Sequence, residues 1–233
     1  MKTLAVLLAS TALVAGANAA EVMFSFGTPT LGFQTTEINQ VGSLGLFDSN
    51  LGTLTGVSLM FSGANTTTIT LTNRAAGAEN ISATGITNLF FGSNLGALNA
   101  VITANNPVIP LSNPTGLQSI ASGATMSFGP IAQSGSVTWT ALAGDKLAGL
   151  LPSFSQAGGG NFNLSCFSLS GITILGGGGN VGSTQSTQAG CGGKIIYTFG
   201  AAPPPTVPEP ASLALVGLAL VGLSLARRKA KKA

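Results

Sequence analysis

Between residue 20 and residue 200, apolar and polar positions alternate in short stretches set off by turn-forming residues. Val22 to Phe26 places Phe24 and Phe26 on one face. Thr53 to Phe61 alternates Val57, Leu59 and Phe61 with Gly56, Ser58 and Met60, and Thr68 to Thr72 sets Ile69 and Leu71 against three threonines. Thr125 to Phe128, Ser136 to Thr140 with Val137 and Trp139 on one side, Gly171 to Leu175 and Lys194 to Phe199 complete the set. Gly, Asn and Pro clusters separate these stretches, and no amphipathic helix stands out among them. The pattern predicts an all-β, β-sandwich-like domain with Val57, Leu59, Phe61, Ile69, Leu71, Val137 and Trp139 in its core. The one helical candidate, around Leu142 to Leu151, is short enough to be a turn ending at Pro152.

The two ends break this pattern. Lys2, the apolar run Leu4 to Ala15 and the small-x-small triplet Ala17-Asn18-Ala19 have the three-part order of a signal peptide, with cleavage expected after Ala19. At the other end Ala202-Pro203-Pro204-Pro205 forms a stiff spacer, followed by Val207-Pro208-Glu209-Pro210 and the uncharged run Ala211 to Ala226. As a helix that run is roughly 24 Å long, slightly short of a bilayer core. Snorkelling of Arg227, Arg228 and Lys229 makes up the deficit and stops the chain in the membrane. Cations concentrated after Ala226 belong on the cytoplasmic side, which puts the body outside. The alternative, a buried core helix, is disfavoured by a basic block without compensating acids.

The order of Val207-Pro208-Glu209-Pro210, the Ala/Leu/Val/Gly run and the Arg-Arg-Lys end resembles the PEP-CTERM sorting domain. That resemblance implies export in a Gram-negative bacterium, transient anchoring in the inner membrane and processing near Pro208-Glu209-Pro210 by an exosortase. The expected partners are that protease, the signal peptidase and secretion machinery, and the membrane itself. Leu46-Phe47-Asp48, Leu51 to Val57 and the late Ile195 to Phe199 resemble exported bacterial domains of the choice-of-anchor E type, a family that implies no catalytic residues. The expected organisation is a signal peptide at 1–19, an all-β exported domain at 20–200, a Pro-rich spacer at 201–206 and a sorting signal at 207–233. Within that signal the motif is 207–210, the transmembrane helix 211–226 and the basic tail 227–233.

Removing the ends reverses the charge. The intact chain has a formal net charge of +3, but without Lys2 and the basic tail there remain only Arg74, Lys146 and Lys194 against Glu21, Glu37, Asp48, Glu79, Asp145 and the motif's Glu209. A mildly acidic, nearly uncharged body is a poor ligand for nucleic acid, whose binding rests on many cations neutralising phosphates.

Familiar catalytic constellations are missing. With His 0 in the chain, Ser-His-Asp, Cys-His and His-containing metal sites do not arise. There is no G-x-S-x-G elbow. Asp48, Glu79 and Asp145 are candidate carboxylates for glycoside hydrolysis, which needs two at a set separation, and a solvated surface role is the competing reading. Asp48-Ser49-Asn50 is a thin start for a calcium site. Gly177 to Gly182 satisfies G-x-G-x-x-G, yet Ser183 to Gln188 is no helix start and no acid lies about 20 residues on to hold a ribose, so a flexible loop is expected. No enzyme activity, cofactor or metal is expected.

Cys166 and Cys191 lie in the exported part. An isolated pair in an oxidising compartment reads as one disulfide, with two buried free thiols as the alternative. Asn65-Thr66-Thr67, Asn80-Ile81-Ser82 and Asn163-Leu164-Ser165 match the glycosylation acceptor pattern but read as turn and edge residues. Trp139 and Tyr197 could stack on a sugar ring, although their place in alternating strands favours the core. Two function classes follow: a structural or adhesive surface protein associated with extracellular polysaccharide, and a carbohydrate-binding module or weak glycoside hydrolase.

Overall fold

A computed structural model describes residues 19–27 and 32–201. By contacts the chain divides into Met1–Ala201 and Ala202–Ala233. The second unit lies outside the described residues, so only the first is described.

Among the described residues there are eleven strands: β1 (Ala19–Phe26), β2 (Gln34–Thr35), β3 (Asn39–Asp48), β4 (Gly52–Asn73), β5 (Glu79–Ser93), β6 (Val108–Pro114), β7 (Gln118–Ile120), β8 (Thr125–Thr140), β9 (Ser155–Gln156), β10 (Gly160–Gly176) and β11 (Val181–Ala201). They form two sheets. One runs β1-β11-β4-β8, with β2 added to β11; the other runs β6-β5-β10-β3-β9, with β7 added to β5. All pairings are antiparallel except the short β3–β9 pair. Pro110 and Pro114 sit in β6, at the edge of its sheet, where a missing N–H breaks no ladder.

The expected sandwich class is what the strands build, and Val57, Leu59, Phe61, Ile69, Leu71 and Trp139 are buried. Val137 is partly buried and packs against the same core. Element lengths differ from the reading of the sequence. The stretches expected at 53–61 and 68–72 are one strand of 22 residues, β4, and those at 125–128 and 136–140 are one strand, β8. The apparent breaks arise because the inward positions between the apolar runs of β4 are Gly63, Asn65 and Thr67.

The sequence offered no helical candidate outside 142–151, and the structure adds one. Gly96–Asn105 forms α1, which buries Leu98 and Ile102 and ends on Asn106 in the left-handed conformation, with φ of 41°. Two buried residues in ten leave too narrow a stripe for an amphipathic pattern. The helical candidate at 142–151 is turns instead, leading into a single 3₁₀ turn at Leu151–Phe154 with Pro152 near its start.

Apolar packing falls into two clusters. The larger includes Phe47, Phe61, Trp139, Phe154 and Tyr197, and the smaller is Ile69, Leu71, Ile81, Ala83 and Ile120. Asn65 and Thr67 of β4 lie between them along the strand, both fully buried. Their polar groups are satisfied from a distance. Asn65 Nδ2 donates to Asn113 Oδ1 at 2.9 Å, Asn113 Nδ2 donates to Ile131 O at 2.9 Å, and the hydroxyls of Thr67 and Thr187 meet at 3.0 Å.

Candidate functional sites on the sandwich and the tail

Of the residues singled out from sequence, the cysteines are placed most fully. Cys166 of β10 and Cys191 of β11 are bonded, with Cα atoms 6.4 Å apart. Both are buried, and their strands belong to different sheets, so the bridge ties one sheet to the other. Gln40 of β3 reinforces the tie by accepting the Cys191 N–H at 2.9 Å.

Tyr197 makes a second link between the sheets. It is 0% exposed, and its hydroxyl donates to the carbonyl of Gly45 on β3 at 2.8 Å. Burial pushes its phenol well above the usual range. Phe24, Phe47 and Phe154 surround the ring at centroid distances of 6.1, 5.9 and 6.3 Å. Trp139, at 7% exposure, stands edge-on to Phe61. Both aromatics considered for sugar stacking therefore face inward.

The carboxylates hold loops. Asp48 Oδ1 accepts the N–H groups of Asn50 at 2.9 Å and Gly158 at 2.8 Å, which closes the turn between β3 and β4 and fastens the one before β10. Glu37 accepts from Ser168 Oγ at 3.1 Å and Ser170 N at 2.7 Å. Asp145 accepts the Thr140 hydroxyl, and Glu79 opens β5 opposite Ile120. Among the described residues no three Cys, His, Asp or Glu side chains gather to hold a metal ion.

Gly177–Gly179 is a 3₁₀ turn with φ of 69°, 55° and 84°, and it leads into β11 rather than a helix. Backbone of that kind needs glycine, and its role is to carry the chain from one sheet to the other. Of the acceptor-pattern asparagines, Asn65 is buried, while Asn80 and Asn163 are exposed on strands.

The apolar outer face of the second sheet was not foreseen from sequence, whereas the threonines set against Ile69 and Leu71 stand on the outer face of the first, as their alternation predicts. On the first sheet Thr66, Thr68, Thr70 and Thr72 alternate with buried residues, and β8 and β11 place Ser127, Thr125, Thr184 and Ser186 beside them. Thr70 bonds Ser127 at 2.9 Å and Thr72 bonds Thr125 at 2.8 Å. On the second sheet Phe90 of β5 and Phe167 of β10 are direct cross-strand partners, stacked at 5.0 Å with 15° between ring planes. Phe167 is 52% exposed, Leu169 59% and Val41 57%. The available signal was the consecutive run Leu89-Phe90-Phe91, since a strand buries only alternate members of such a run.

Ala19 is the first residue of β1, opposite Gly200 of β11. Ala17, the motif Val207, Pro208, Glu209 and Pro210, the run 211–226 and the stop Arg227, Arg228 and Lys229 lie outside the described residues. Among the described residues no helix is long and apolar enough to cross a membrane.

The decisive comparison falls on the tail, where residues 206–229 match the PEP-CTERM protein-sorting motif. The chain carries a PEP-CTERM sorting signal. That signal implies an exported protein, transiently anchored in the membrane and processed by exosortase. No curated protein matches the chain. Among solved structures, a particle of infectious bursal disease virus is similar at 8% identity, over 88% of this chain and 47% of the viral one, with a TM-score of 0.18. A VP2 subviral particle of the same virus is similar at 10% identity, over 94% and 54%, with a TM-score of 0.17. The chain spans about half the length of these viral chains. Scores this low carry no argument about fold or function.

Proposed function

We propose that the chain is a non-enzymatic protein of the cell surface or extracellular matrix, structural or adhesive, and associated with exopolysaccharide. The observation that carries this reading is the PEP-CTERM sorting signal at 206–229. In this reading a signal peptide is removed after Ala19, which takes only the first residue from β1. The helix 211–226 then holds the body outside the membrane while exosortase cuts near Pro208-Glu209-Pro210. The resemblance of Leu46-Phe47-Asp48 and of Ile195 to Phe199 to choice-of-anchor E domains belongs to the same proposal. A carbohydrate-binding module or weak glycoside hydrolase is the second reading. It loses support from the inward placement of Trp139 and Tyr197.

Mass spectrometry of the protein recovered from its host tests the route at both ends. The expected mature chain starts near Ala20 and lacks residues 211–233, and Glu209→Ala leaves insertion intact while blocking the cut. A surface protein that still carries 211–233 would show a lasting single-span anchor. Loss of surface retention in a strain unable to make exopolysaccharide is the expected result for the association, and unchanged retention would remove it.

A further inference from the structure

We propose that the outer face of the β6-β5-β10-β3 sheet is a contact surface for a second copy of this chain. Four of its residues form a continuous apolar patch by register. Phe167 faces Phe90 across the β10–β5 pair, Leu169 is two positions along opposite Asn88, Ile86 is two further along β5, and Val41 on β3 flanks the other side opposite Ser165. Phe167, Leu169, Val41 and Ile86 are all exposed, and large apolar side chains gathered on one face mark an interaction surface.

Charge and shape decide which occupant fits. No charged residue occurs in 39–43, 84–92, 108–114 or 163–173, the stretches that make up this face; Glu37 borders it, its carboxylate accepting from Ser168 Oγ and Ser170 N. A two-fold contact places a surface against itself, so any charge near the axis would meet its own sign; the strands of this face put none there, and the bordering Glu37 keeps its carboxylate on β10. Asn88, with an amide that both donates and accepts, suits self-pairing for the same reason. A sugar ring fits less well, because Phe90 and Phe167 stack on each other and each spends one face on its neighbour. Four strands spaced about 4.8 Å apart and roughly nine residues long give a face of about 570 Å², so a face-to-face pair buries on the order of 1,100 Å². That is close to the roughly 1,000 Å² lower bound of a specific interface, which sets the expectation of a reversible, concentration-dependent dimer. The inference does not rest on the sorting reading or on polysaccharide association.

The test is sedimentation of the exported protein purified from its host across a concentration series. The wild type is expected to pass from monomer to dimer, and Phe167→Ser to raise the dissociation constant at least about tenfold, as truncation of a central aromatic does. An unchanged thermal melt shows that Phe167→Ser has not unfolded the body. A second variant fixes the surface: Leu169→Cys should give a disulfide-linked dimer, whereas Ser186→Cys on the opposite sheet should not. A wild type that stays monomeric at every concentration, or a dimer indifferent to both changes on β10, overturns the proposal. A monomer that loses binding to the host polysaccharide on Phe167→Ser also overturns it and assigns the face to a sugar.

Discussion

The two outer faces of the sandwich differ in chemistry although their strands share one interior. The first sheet turns threonines and serines outward, several bonded to one another across strands, while the second turns out stacked phenylalanines, leucine and valine. Hydroxyl ladders between β-branched residues favour the pleated surface and leave it wetted. Exposed apolar side chains contribute nothing to the core of the isolated chain. The lesson is that folding is carried by the inward positions and by the links between the sheets, which leaves the outer positions free to differ.

The largest loss of stability is expected where the two sheets are tied together. Replacing Cys166 and Cys191 with serine removes the bridge between β10 and β11, and a bond closing a loop of this size contributes about 3 kcal/mol. Denaturant unfolding of oxidised protein against the double variant is expected to show a loss near that size. Asn113→Ala should follow with a loss of about 1–3 kcal/mol, because it removes the side-chain partner of the fully buried Asn65. An equal loss from a substitution on either outer face would show that the faces, too, carry the fold.

A smaller effect belongs to Tyr197. Its folded-state pKa lies above the unfolded one, so the stability it contributes is complete below the unfolded value of about 10 and is lost as pH rises from there toward the folded value. Thermal melts should therefore fall with alkali from about pH 10 upward. Tyr197→Phe should flatten that fall and cost about 1 kcal/mol at neutral pH through the lost bond to Gly45. Smallest of all, Thr70→Ala on the hydroxyl face is expected to shift stability by no more than about 0.5 kcal/mol. A similar calorimetric result for Phe167→Ser, combined with a changed assembly state, would sharpen the contrast between a face that is wetted and a face that binds.

How far the sequence could be read varied with how local the deciding force was. Alternation in 53–61 and 68–72 exposed the inward residues of β4, because a strand's period of two depends on its own backbone. The join between those stretches was illegible, since Asn65 and Thr67 look like loop residues until Asn113 and Thr187 supply their partners from far along the chain. Strand β5 and the first half of β10 were missed for a related reason. Leu89-Phe90-Phe91 and Cys166-Phe167 put apolar side chains on both faces, and an unbroken run does not declare which side is buried.

By itself the sequence determined the sorting signal, the all-β class and the inward residues of the alternating strands, because each depends on residues that are neighbours along the chain. Only the tertiary structure decided that Cys166 and Cys191 join opposite sheets, that the Tyr197 hydroxyl reaches Gly45 on the facing sheet, and that the phenylalanines of β5 and β10 stand together outside. Those outcomes depend on register between strands distant in sequence. Register is fixed by the burial of a whole face at once, not by any segment alone.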